Sequence, residues 1–176
     1  MNCVTALLIF GLGGGILPFD PSGMGDLAAK LRAEPRVHVQ SFTHDADDAM
    51  AEYARSFAWR CHLVFVGHSA GANAAVRVAH RLLPEAIPIA LLFAFDPPDR
   101  AVLPLPPLPA NVEVGVFYRQ DGVLGGGSIK RTRNYLTASL SSVTVKVDHI
   151  PMPRHFAPFV LRDVRWLAGA RGRMPR

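Results

Sequence analysis

The sequence is short of charge. Lysine, arginine, aspartate and glutamate make up 19% of its 176 residues, against 49% hydrophobic residues. That balance excludes a disordered chain, which cannot bury enough apolar surface to offset the entropy of ordering. Cysteine is scarcer still, with Cys3 and Cys61 alone. A domain of this length buries roughly 70% of its unfolded surface and needs no disulfide or structural metal to hold a core. Each cysteine falls beside or inside an apolar run, where it behaves as a small hydrophobe, so two buried thiols in a reduced compartment are expected. No run reaches the ~20 apolar residues of a membrane helix. The seven histidines form no His-Glu-x-x-His and no paired spacing with cysteine, so no metal site and no cofactor are expected. Internal repeats and a domain boundary are also missing, and residues 1–176 are read as one domain.

Two further absences bear on location and partners. The opening Met1 to Leu17 is apolar, but it has no basic n-region and no small-residue cleavage site, and its glycines cluster where an apolar h-region should continue. It is read as a buried strand running into a loop, and a cytoplasmic protein without stable membrane insertion is expected. The net charge is +5, much of it in Arg131, Arg133, Arg171, Arg173 and Arg176. No nucleic-acid motif accompanies these arginines, so a solubilising edge and tail are expected rather than a nucleic-acid partner.

What is present is an alternation of strand and helix signals. Thr5–Phe10, Val37–Phe42, His62–Val66, Ile87–Phe95, Val112–Tyr118 and Val143–Val147 read as strands, several of them continuously apolar. Helical spacing runs over Gly25–Ala33 with Ser22 as cap, over Asp45–Trp59 with Asp45 as cap, over Ala70–Leu83, and over Ala157–Ala168. The pattern implies a three-layer α/β/α sandwich on a mainly parallel sheet of about six strands, buried on both faces. Ligands of such sheets gather at the carboxyl ends of the strands. Pro97–Pro109 holds six prolines and cannot be a helix interior. Its Pro104-Leu105-Pro106-Pro107-Leu108-Pro109 has the composition of an SH3-type ligand, but a stiff connector between core strands explains it without a partner. Asp121–Arg133 is glycine-rich and polar, hence a loop.

The chemistry centres on Gly67-His68-Ser69-Ala70-Gly71. Gly-x-Ser-x-Gly after a strand and before a helix is the setting of a nucleophile elbow. The serine must sit in a strained turn, and flanking glycines let strand and helix approach. The helix N-terminus behind Ser69 favours developing negative charge. His68 is read as a spacer and not as the base, since a residue adjacent in sequence points away from the serine. With the alternation around it, this motif resembles the α/β-hydrolase superfamily of lipases, esterases and thioesterases. The resemblance covers nearly the whole chain. It departs from the larger members in starting at what would be their third strand and in having no room for a cap domain, so the small lidless esterases are the nearer match.

The resemblance implies an oxyanion hole and a triad. The amide of Ala70 supplies one donor. Phe10-Gly11-Leu12-Gly13-Gly14 resembles the family's His-Gly-x-Gly segment with Phe10 in place of histidine, which assigns the second donor to Leu12, with Gly13 the close alternative. A dinucleotide loop does not fit there, because Ile16 holds the third glycine position and Pro18 follows where a helix should run. The triad order Ser, acid, His puts the base after the last strand. His149, read as following that strand directly, is preferred, with His155 as alternative. For the acid, Asp96 ends an apolar strand, where a lone carboxylate needs a partner, and Asp96-Pro97 resembles the pancreatic-type lipases. Asp121 is the alternative, in the position most members use. The expected activity is hydrolysis of a small-molecule carboxylic ester through an acyl-enzyme on Ser69. A thioesterase with the same triad and a non-catalytic binding protein of the same fold are the rival readings.

Overall fold

The computed structural model describes residues 3–11, 21–98, 105–119, 139–144 and 149–169. Six parallel strands form one sheet: β1 (Val4–Phe10), β2 (Val37–Thr43), β3 (His62–His68), β4 (Ile89–Phe95), β5 (Val112–Arg119) and β6 (Ser139–Thr144), in the order β2-β1-β3-β4-β5-β6. Among the described residues four α-helices accompany them, α1 (Met24–Arg32), α2 (Asp47–Phe57), α3 (Ala70–Leu82) and α4 (Met152–Gly169), with one 3-10 turn at Leu83–Glu85. The expected sandwich is therefore present, with every strand pair parallel.

The period of two along each strand sorts side chains onto two faces. Leu7, Ile9, Leu63 and Phe65 pack with α2 and α3 on one face. Ala6, Leu8, Val64 and Val66 pack with α1 and α4 on the other. Inner strand β4 is buried along its whole length, whereas edge strand β2 alternates between half-buried and exposed residues. Leu105 and Leu108 of the proline-rich stretch are buried in the α2/α3 core. His80 on α3 hydrogen-bonds the Pro107 carbonyl at 2.6 Å, so this stretch packs as a connector. Charge links the outer helices: Arg77 of α3 reaches Asp47 of α2 at 2.8 Å.

Several local expectations are corrected. Cys3 and Cys61 are not thiols but a disulfide, with their Cα atoms 4.7 Å apart. The cause is register. Val4 of β1 pairs with His62 of β3, and the His62 amide donates to the Cys3 carbonyl at 2.9 Å, so the two preceding cysteines lie side by side. The last described strand, β6 at Ser139–Thr144, takes in Val143 and begins four residues before the expected start; residues 145–147 of the expected span lie outside the described residues. Helix α4 opens at Met152, five residues before the expected start. Pro153 stands in its first turn, where a missing N–H breaks no helical bond. The cap of α2 is Ala46 and not Asp45. Ser22 does accept the Met24 amide at 3.2 Å, from one residue outside the Gly23 cap. Among the described residues no helix is long and apolar enough to cross a membrane. The arginines of the expected basic edge and tail lie outside the described residues.

Candidate active site

Reading the strand order outward from the middle, the chain runs one way from β1 to β2 and the other way from β3 to β6. That reversal leaves a crevice at the carboxyl ends of β1 and β3. Gly11 follows β1 there and Ser69 follows β3. Ser69 has φ 54° and ψ −128°, a backbone conformation that L side chains rarely adopt; holding a non-glycine residue so costs about 1–3 kcal/mol. The surrounding glycines show what the turn demands. A Cβ on Gly67 would lie 2.5 Å from the Ala72 Cα, and one on Gly71 would overlap the Ile9 carbonyl. Helix α3 thus starts in direct contact with β1 and β3. A Cβ on Gly11 would lie 2.8 Å from the Ser69 Cβ and 3.4 Å from its Oγ, so the glycine loop begins against the serine. Leu12 and Gly13 lie outside the described residues. Ala70 opens α3, fully buried, at a position whose amide has no partner one turn earlier.

Beside Ser69, β4 ends at the same level. His68 pairs with Phe95, and the Ser69 amide donates to the Phe95 carbonyl at 2.9 Å. The next residue, Asp96, also has positive φ, at 46°, and its amide donates to the Tyr118 carbonyl at 2.7 Å. Its side chain is 0% exposed. A carboxylate taken wholly out of water needs a partner, and His149 provides one. The His149 Nδ1 lies 2.7 Å from Asp96 Oδ2. A carboxylate only accepts, so in the neutral ring Nδ1 carries the proton and Nε2 is left basic. Tyr118, Phe95 and Phe156 stack as a cluster, with the Tyr118 centroid 5.4 Å from that of Phe95 and 3.9 Å from that of Phe156. Burial pushes the Tyr118 hydroxyl above its ordinary pKa, Asp163 adding to the rise and Arg162 opposing it.

Of the sequence-derived candidates, the fold brings Ser69, Asp96, His149 and Ala70 to one edge of the sheet. Ser69 Oγ and His149 share no hydrogen bond in this structure; catalytic hydrogen bonds of ligand-free enzymes often tighten only with substrate bound. His155 is exposed in the first turn of α4, its ring edge-on to Phe156, whereas it is His149 that partners Asp96. Asp121 lies outside the described residues. Two side chains that sequence reasoning did not assign to the site are built into it. His68 hydrogen-bonds the His149 carbonyl through Nε2 at 2.9 Å. Asn73 of α3, fully buried, donates to the Pro98 carbonyl at 2.9 Å. No group of three histidine, cysteine, aspartate or glutamate side chains suited to a metal ion occurs among the described residues.

No protein-family model and no curated protein matches this chain. Solved structures do. Human thioesterase 2 superposes with a TM-score of 0.62 over 96% of this chain and 99% of that one, at 11% identity. The RedJ thioesterase of the prodiginine pathway in Streptomyces coelicolor gives 0.60 over 90% and 85%, at 15% identity. The type II thioesterase BorB from the borrelidin biosynthetic cluster gives 0.59 over 92% and 91%, at 14% identity. At these identities the likeness is one of fold, and the fold is that of the α/β-hydrolases.

Proposed function

We propose that the protein is a serine acyl hydrolase. The observation that carries this reading is the fully buried Asp96 carboxylate held 2.7 Å from His149 Nδ1, at the sheet edge where Ser69 stands in a strained turn. In the proposed reaction His149 Nε2 takes the Ser69 hydroxyl proton while Oγ attacks the acyl carbonyl carbon. The negative charge moves to the carbonyl oxygen, which faces the amide of Ala70 and, by the family resemblance, that of Leu12 or Gly13. Losing one such donor typically costs about 2.7–4 kcal/mol of barrier. The bond to the leaving group then breaks, and the His149 proton goes with the leaving group. Water attacks the acyl-enzyme with His149 again as base, releasing the acid and restoring Ser69. Asp96 orients the imidazole and stabilises its charged form.

The sequence led us to expect a carboxylic ester. The structural neighbours are thioesterases, and we take an acyl thioester as the favoured substrate. The same residues serve either leaving group. Competing matched acyl-thioester and acyl-oxygen-ester substrates of one acyl chain decides between them: a kcat/KM higher for the thioester supports this reading, and a preference for the oxygen ester returns it to an esterase.

A further inference from the structure

The residue before Ser69 does more than space the motif. His68 ends β3 and is 7% exposed. Its Nε2 lies 2.9 Å from the His149 carbonyl oxygen, across 81 residues of sequence. A carbonyl oxygen only accepts, so His68 Nε2 carries a proton and donates it. The two imidazoles also pack against each other, with centroids 4.8 Å apart and planes tilted by 36°. His149 is therefore held at two points, its ring by Asp96 and its main chain by His68.

We propose that His68 is a positioning residue for the base, an inference that rests on His149 acting as proposed above. The proton transfer needs His149 at hydrogen-bond reach of Ser69 Oγ, about 2.6–3.2 Å, and a misplacement of about 1 Å can cost about 10²-fold in rate. Ser69 is fixed by the backbone of the elbow, but His149 arrives on a distant segment between β6 and α4. His68 joins the two by the shortest available link, from the residue next to the nucleophile to the main chain of the base. His68 is buried and His149 half-buried, so water competes for the bond less than it would at the surface. Asn73 makes a parallel tie from α3 to Pro98, two residues past Asp96. The nucleophile's own strand and helix thus hold the segments that carry the base and the acid.

Two substitutions separate the donor from mere bulk. The Gln amide nitrogen sits at the reach of histidine Nε2, whereas that of Asn sits at the reach of Nδ1. His68→Asn is expected to lower kcat about 10- to 100-fold with KM within about twofold, and His68→Gln to recover most of the loss. His68→Phe, which keeps a ring and removes the donor, should behave like His68→Asn; if it does not fold, the Asn and Gln pair carries the test. A readout independent of turnover is the downfield proton resonance of His149 Nδ1 in its bond to Asp96. It should be sharp in the wild type and in His68→Gln, and broadened or shifted in His68→Asn. Equal kcat in Asn and Gln variants, with that resonance unchanged, overturns the proposal. If the wild type shows the resonance and its response to His68→Asn but has no hydrolytic activity, the hydrolase reading fails while the positional role of His68 stands.

Discussion

The two ends of the sheet are built on opposite terms. At the amino ends of β1 and β3 the neighbouring strands are joined covalently through Cys3 and Cys61. At the carboxyl ends of β3 and the adjoining β4 two non-glycine residues, Ser69 and Asp96, are held at positive φ. There too a carboxylate is buried and two imidazoles pack at a tilt against each other. A covalent tie marks one end and the strained Ser69 turn the other, and they are separated by seven-residue strands whose side chains are almost entirely buried. A rigid core lets a costly local geometry persist, because relaxing the turn would require moving α3 off β1.

That contrast can be broken from either end. The largest effect is expected at the strained end: Ser69→Ala should lower turnover about 10⁶-fold and leave the melting temperature within a few degrees, since no hydrogen bond of the serine side chain holds the fold. Asp96→Asn should lower kcat about 10⁴-fold by releasing the imidazole from its orientation; an Asp96→Asn enzyme of near-normal activity would move the acid elsewhere, with Asp121 next to be tested. At the covalent end the order reverses. Replacing Cys3 and Cys61 together by serine opens a loop closed across 58 residues and should cost about 3–4 kcal/mol in chemical denaturation, with kcat unchanged.

Gly71→Ala tests the join between the two ends. The added methyl meets the Ile9 carbonyl, so a loss of about 1–3 kcal/mol is expected, and activity should fall with it because the elbow moves. The smallest effect lies away from both ends. Arg165 of α4 hydrogen-bonds Glu34, just past α1, at 2.6 Å and holds its carboxyl below the ordinary value of 4.5. A group depressed on folding stabilises above its unfolded pKa and loses that contribution as pH falls through the folded value. Glu34→Gln should therefore lower the melting temperature slightly at neutral pH and leave it unchanged well below pH 4, as pH-resolved thermal melts would show.

Much of this was legible in the sequence, and what was not has physical reasons. Strands β1, β3 and β4 announce themselves because burial on both faces demands continuous apolar residues. Ser69 is legible because a strained strand-to-helix turn restricts its neighbours to glycine. Asp96 stood out because an apolar strand ended in a charge. The early start of β6 left no signal because Ser139, Ser141 and Ser142 carry none of the β-branched character that Val143 and Val145 do, and only pairing with β5 reveals it. The start of α4 was missed because Pro153 reads as a breaker when its position in the helix is unknown. The Cys3–Cys61 bond and the His68–His149 contact share a cause. Each joins residues far apart in sequence, through strand register or loop placement, and neither leaves a local pattern.

The central claim is that Ser69 is an activated nucleophile. Its most direct test is labelling of the folded protein by a fluorophosphonate, read by intact mass and peptide mapping. One adduct is expected, on the peptide carrying Ser69, lost in Ser69→Ala and slowed in His149→Ala but not in His155→Ala. A folded wild-type protein that takes no adduct, or takes it equally well after Ser69→Ala, would contradict the claim.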